Sequence, residues 1–194
     1  MQYTDMQLDA LRELANIGSG NAGTALSGML GRTVDISVPN ALVLPLADAV
    51  ESAGPPESSV TGVVLTVSGS MDAIVLLLFP PADADRLCGM LGLEPGSEVA
   101  ASALNEIGNI LGTSYINALA AMSGLVLEPS PPQQITDMLA AIVSTVLAAG
   151  AGHSDFALIL DSELKVEGDN CSLSFLLVPS PGGVEQLLSG LGLA

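Results

Sequence analysis

Residues 9–16, DALRELAN, and residues 102–109, SALNEIGN, repeat one pattern 93 positions apart. In each copy Leu11 and Leu14, or Leu104 and Ile107, fall on one side of a helix, and the polar residues fall on the other. The same separation pairs Ala25-Leu26 with Ala118-Leu119, Met29 with Met122, Gly31 with Gly124 and Pro39 with Pro132. The ends of the copies match as well. Phe79-Pro80-Pro81 followed by Leu91-Gly92-Leu93 resembles Val178-Pro179-Ser180-Pro181 followed by Leu191-Gly192-Leu193. A repeat of this length predicts one domain made of two similar halves, residues 1–93 and 94–194, joined at Glu94-Pro95-Gly96.

Working outward, the apolar spacing predicts a long helix from Thr4 to Met29, stopped by Gly31, and a second from Glu98 to Met122, stopped by Gly124. The core-facing stripe of the first is read as Leu11, Leu14, Gly18, Ala22, Ala25 and Met29. On the second it is Leu104, Ile107, Leu111, Ala118 and Met122. Strands are expected at Val34–Val38, Val60–Val67, Ala73–Phe79, Phe156–Leu160 and Ser172–Val178, and shorter helices at Ala82–Leu91, Gln134–Ala149 and Val184–Leu191. Ala49–Ser59 and Gly150–Ser154 read as loops. This order of elements is α+β: a mixed or antiparallel sheet flanked by two long helices and several shorter ones, with pseudo-two-fold symmetry.

Composition narrows the function. Of 194 residues, 21 are Asp or Glu and 4 are Lys or Arg, giving a formal net charge of −17. A protein whose cations are Arg12, Arg32, Arg86 and Lys165 cannot neutralise a phosphate backbone, which excludes nucleic-acid binding. Hydrophobic residues make up 49%, too many for a disordered acidic tail. An acidic surface with few cations suits a high-salt cytoplasm. The N-terminal Met1-Gln2-Tyr3-Thr4-Asp5 has no basic and apolar runs of a signal peptide, and the apolar run Met138–Ala149 is too short to span a bilayer. A cytoplasmic location without membrane insertion is expected. Cys88 and Cys171 have no metal-ligand spacing and read as small buried residues.

The polar stripes carry the chemistry. At about 100° per residue, Asp9, Glu13, Asn16 and Gly20 lie within roughly 60° of one another, and Ser102, Glu106 and Asn109 repeat the arrangement. Exposed Glu is ordinary on a helix. Asn is not, since in a helix interior it costs about 0.5 kcal/mol against Ala. Its return in both copies, while neighbours change (Arg12 against Asn105, Ala15 against Gly108), weighs toward a task at that position against the alternative of preservation by descent from the duplication. A carboxamide can hold a water without bringing a charge that repels an incoming anion. The Glu three residues before it lies alongside and can engage a cation on a partner.

With Pro39 and Pro132 at equal distance beyond each Asn, the pattern Asp/Ser-x3-Glu-x2-Asn-x22-Pro resembles the signature of the CheC/CheX/FliY family of chemotaxis phosphatases, over essentially the whole chain. Two complete motifs are most similar to stand-alone CheC. The resemblance implies hydrolysis of the aspartyl phosphate of the response regulator CheY. Asn16 and Asn109 would orient the attacking water, and Glu13 and Glu106 would contact the regulator's active-site Lys. Asp9 and Ser102 would support the motif, and Pro39 and Pro132 would shape the turn beneath it. No cofactor or metal of its own is implied, because Mg²⁺ would come with CheY. CheD, the receptor deamidase, is a further implied partner, and a monomer is expected from a chain that already contains its own duplicate.

The competing reading is a non-catalytic adaptor that binds CheY or regulates CheD, with Gln134–Ala149 as either a partner-binding helix or a helix buried on the sheet. A flagellar structural role is weaker, for want of an additional switch domain. The remaining polar residues read structurally: His153 as a loop residue, Asp83 and Asp85 as helix N-terminal charges, and Glu163, Glu167 and Asp169 as solvated groups around a hairpin turn.

Overall fold

The structure is a computed structural model that describes residues 4–149, 156–166 and 169–193. His153, Glu167 and the Gly150–Ser154 loop lie outside the described residues. The chain runs α1 (Asp5–Leu30), β1 (Val34–Pro45), α2 (Leu46–Ala53), β2 (Ser59–Gly69), β3 (Ala73–Phe79) and α3 (Pro81–Met90). The second half follows with α4 (Glu98–Ser123), β4 (Leu127–Pro129), β5 (Gln133–Met138), α5 (Leu139–Ala149), β6 (Phe156–Val166), β7 (Asp169–Pro179) and α6 (Gly183–Gly190).

The long helices begin and end where local chemistry dictates. Thr4 caps α1 through a reciprocal box: its Oγ1 accepts from the Gln7 amide, and its own amide donates to Gln7 Oε1 at 2.9 Å. Ser97 Oγ accepts from the Ala100 amide at 3.1 Å and caps α4. Gly31 (φ 64°) and Gly124 (φ 71°) terminate both helices in the left-handed region, where a Cβ would be strained.

All strand pairs are antiparallel, in the order β1-β6-β7-β3-β2-β4, with β5 also on β2. The order is palindromic about β3 and β7. Each half sends its first strand across to the other: β1 pairs with β6, and β4 and β5 pair with β2. Side chains alternate between two apolar layers. Val75, Leu77 and Phe79 join Leu11, Leu14, Ile107 and Leu111 beneath α1 and α4, while Ile74, Leu76 and Leu78 join Leu139 and Ile142 beneath α2 and α5. Strand β3 is buried on both faces, as its continuous apolar run requires.

Several expectations change. Where a loop was expected from Ala49, α2 forms over Leu46–Ala53; Leu46, Ala49, Val50 and Ala53 have helical spacing, masked in the sequence by the following Gly54-Pro55-Pro56. The helix expected from Gln134 starts at Leu139, because Gln133–Met138 is claimed by the edge of β2. Its apolar face, Leu139, Ile142, Val143 and Val146, is buried on the sheet. Ala25 is exposed and Met29 only half-buried; Ala15, Ser19 and Leu26 complete the buried face of α1 instead. Strand β1 continues past Val38 to Pro45, with its register broken between Ser37 and Asn40, and Pro132 lies in the gap that separates β4 from β5. Proline lacks the N–H that a ladder needs, so each copy interrupts its first strand at the same place.

Close packing fixes the roll of the long helices. A Cβ on Gly18 would lie 2.5 Å from Tyr115 Cδ1, and one on Gly108 would lie 2.6 Å from Val63 Cγ1. Tyr115 cannot retreat: it is fully buried, its ring centroid is 4.7 Å from that of Phe175, and its hydroxyl is 3.2 Å from Ser162 Oγ. Gly20, two residues along, faces open space. Urea unfolding should therefore show opposite signs for neighbouring changes. Gly18→Ala is expected to destabilise by about 1–3 kcal/mol through overpacking, and Gly20→Ala to stabilise by about 0.5–1 kcal/mol through helix propensity.

Candidate active site

Since α1 and α4 bury one face against the sheet and pack against each other, the opposite faces stay open. Asp9, Glu13 and Asn16 are all exposed along α1. On α4, Ser102 and Glu106 are exposed and Asn109 is half-buried. Among the described residues neither the Asn16 nor the Asn109 carboxamide has a hydrogen-bond partner within the chain. The structure thus brings the expected polar residues together in two stripes, one per copy. Pro39 and Pro132 belong to the sheet, at the strand interruptions, rather than to the stripes.

Three details were missed from sequence. Ser19 Oγ donates to the Asn16 carbonyl at 2.8 Å, and Thr113 Oγ1 donates to the Asn109 carbonyl at 2.6 Å. These are the bonds that a mid-helix hydroxyl makes to the preceding turn, as at Thr24 and Ser27, and they come from repeat positions that are not equivalent. Arg12 donates to Asp9 Oδ1 at 2.8 Å across the exposed face of α1, a pair that i, i+3 spacing could have signalled. Asn105, its counterpart on α4, is half-buried, and its Oδ1 is buried without a partner among the described residues.

The stripes are outer helix surfaces rather than clefts. Concave sites occur between α3, α4 and β5 and between α2 and α5, but no stripe residue lines them. A protruding amide beside a carboxylate can do little alone. It can complete a pocket supplied by another molecule. Among the described residues there is no His, Cys, Asp and Glu cluster able to hold a metal. Both cysteines are buried and free, as expected. Burial pushes their thiols up from the usual range, with Asp85 acting in the same direction at Cys88 and Asp83 at Cys171, so neither is a poised nucleophile.

This geometry defines a class: a duplicated sheet with two long helices on one face, also seen in the crystal structure of Thermotoga maritima FliY. That chain is 20% identical, superposes with a TM-score of 0.79, and the match covers 99% of this chain and 98% of that one. Residues 6–43 and 99–135, the two copies of the stripe with the strand that follows, match the CheC-like family. Bacillus subtilis (strain 168) CheY-P phosphatase CheC is 29% identical, over 96% of this chain and 94% of its own length. The fold is also similar to the CheX–CheY–BeF3–Mg²⁺ complex from Borrelia burgdorferi, with a TM-score of 0.51 and 15% identity over 88% of this chain and 97% of that one.

An exposed Asn without partners, in mid-helix, is a local loss of stability. Asn16→Ala is therefore expected to raise the unfolding free energy by about 0.5 kcal/mol, measured by urea titration. A purely structural Asn would lose stability instead.

Proposed function

We propose that this protein hydrolyses the aspartyl phosphate of the response regulator CheY, with Asn16 and Asn109 each positioning the attacking water. The observation that carries the proposal is the pair of uncovered Glu/Asn stripes on α1 and α4. The name of the Bacillus relative supports it.

The stripe docks over the phosphorylated pocket. The Asn amide oxygen accepts a hydrogen bond from a water and sets it in line with phosphorus, and the amide carries no charge to oppose the phosphoryl oxygens. Because phosphoryl transfer passes through a loose transition state, orientation matters more than deprotonation of the water. The water oxygen bonds to phosphorus as the bond from phosphorus to the aspartyl oxygen breaks. The electron pair leaves with the carboxylate, and a water proton passes to a phosphate oxygen, giving inorganic phosphate and free Asp. Glu13 and Glu106 pair with a cation at the rim of the regulator's pocket, which we take to be its active-site Lys. The divalent cation that would offset phosphoryl charge would be held by CheY. Such a protein works in the cytoplasm; among the described residues no helix is long and apolar enough to cross a membrane.

The test is dephosphorylation of phosphorylated CheY with purified protein. Asn16→Ala plus Asn109→Ala should remove the acceleration, by on the order of a hundredfold, while CheY binding persists. Glu13→Ala and Glu106→Ala should raise KM, with additive effects if the sites act independently. Unchanged acceleration in the double Asn variant would sink the mechanism. Equal binding of both forms of CheY without turnover would leave an adaptor.

A further inference from the structure

The two stripes differ in charge. Asp9, Arg12, Glu13 and Asn16 on α1 correspond to Ser102, Asn105, Glu106 and Asn109 on α4. Arg12 is one of 4 Lys and Arg residues in a chain of net charge −17, and the one cation within α1. Helix α4 has none from Glu98 to Ser123. Arg12 stands one turn before Asn16, about 5–6 Å away at Cβ in helical geometry. Its guanidinium leans back toward the helix N-terminus, as helical side chains do, and rests on Asp9 Oδ1 at 2.8 Å. That exposed pair is weak and screened, so little opposes its exchange for a stronger anion. Asn105 has no comparable freedom, since its amide oxygen is buried.

We propose that Arg12 is a further catalytic residue of the α1 site: when the phosphorylated regulator docks, the guanidinium leaves Asp9 and donates to the phosphoryl oxygens around the Asn16-held water. The α1 site is then the faster of the two. This deepens the phosphatase reading above and rests on it. Charge spreads over three equatorial oxygens in the transition state, and a planar guanidinium, protonated throughout, matches two of them at once. Its charge also offsets the repulsion between an acidic protein and a phosphorylated partner. The difference at the first motif position follows. Asp9 holds the resting guanidinium, whereas Ser102 stands where there is no cation to hold.

The experiment isolates the α1 site in the full chain with Asn109→Ala, then adds Arg12→Gln or Arg12→Lys and follows steady-state hydrolysis of phosphorylated CheY in Mg²⁺. Arg12→Gln should lower kcat about tenfold, the loss of one charge-assisted contact, with KM nearly unchanged. Arg12→Lys, which keeps the charge but not the fork, should fall between. Asn109→Ala alone should retain more turnover than Asn16→Ala alone. An unchanged kcat, a rise confined to KM (a docking charge), or a slower Asn109→Ala chain each overturns the proposal while leaving the phosphatase reading intact. Absence of acceleration by the unaltered chain overturns both.

Discussion

The close approach of the long helices to their neighbours governs the rest of the molecule. Gly18 against Tyr115, Gly108 against Val63 and Gly112 against Leu65 leave no space for a Cβ. At these contacts a helix cannot roll, because rotation by one residue position, about 100°, would drive a side chain into a filled core. Orientation of the inner face fixes the outer face. Asn16 and Asn109 are therefore aimed by residues on the far side of their own helices.

Strand exchange secures the same geometry at larger scale. Because β1 pairs with β6, and β4 and β5 pair with β2, neither half can leave without stripping strands from the other. The helices are connected directly to these exchanged strands, α1 to β1 and α4 to β4. Relative placement of the stripes is thus tied to the sheet's central ladder, where Leu76 faces Leu176 and Leu77 faces Phe175. A duplicated chain with two polar stripes gains a rigid spacing between them, which separate halves on a flexible linker would lack.

Legibility in the sequence followed the range of the interactions. The helix stops at Gly31 and Gly124, the buried run of β3 and the polar triplets on α1 and α4 depend on neighbours within a few positions, and all could be read. Strand β5 could not, because Gln133–Met138 is extended only through its pairing with β2, whose partner residues lie 69 to 79 positions earlier. Helix α2 was hidden for the opposite reason: its spacing is local but only 8 residues long, and strong turn residues follow it. Ala25 shows the limit of periodicity: it is exposed while Leu26, one residue further along, is buried, so the buried face at that end of α1 lies round the helix from the stripe that spacing suggested. The hydroxyls that hold the Asn carbonyls sit at shifted repeat positions, so alignment of the halves concealed them.

A site on a convex surface trades self-sufficiency for selectivity. An enzyme with its own cleft can admit any small phosphate that fits. Here Glu13, Asn16 and Glu106 stand in solvent and Asn109 is half-buried, and an exposed amide has no preference for one water over another. Under the proposed function, selectivity would arise when a partner's pocket closes over the stripe, excludes other waters and supplies the opposite walls. The free protein pays in helix propensity for an Asn that contributes no contact of its own. What the fold contributes is direction: two rigid helices present the amide at a fixed angle, so the entropy of orientation is spent in folding rather than at each encounter.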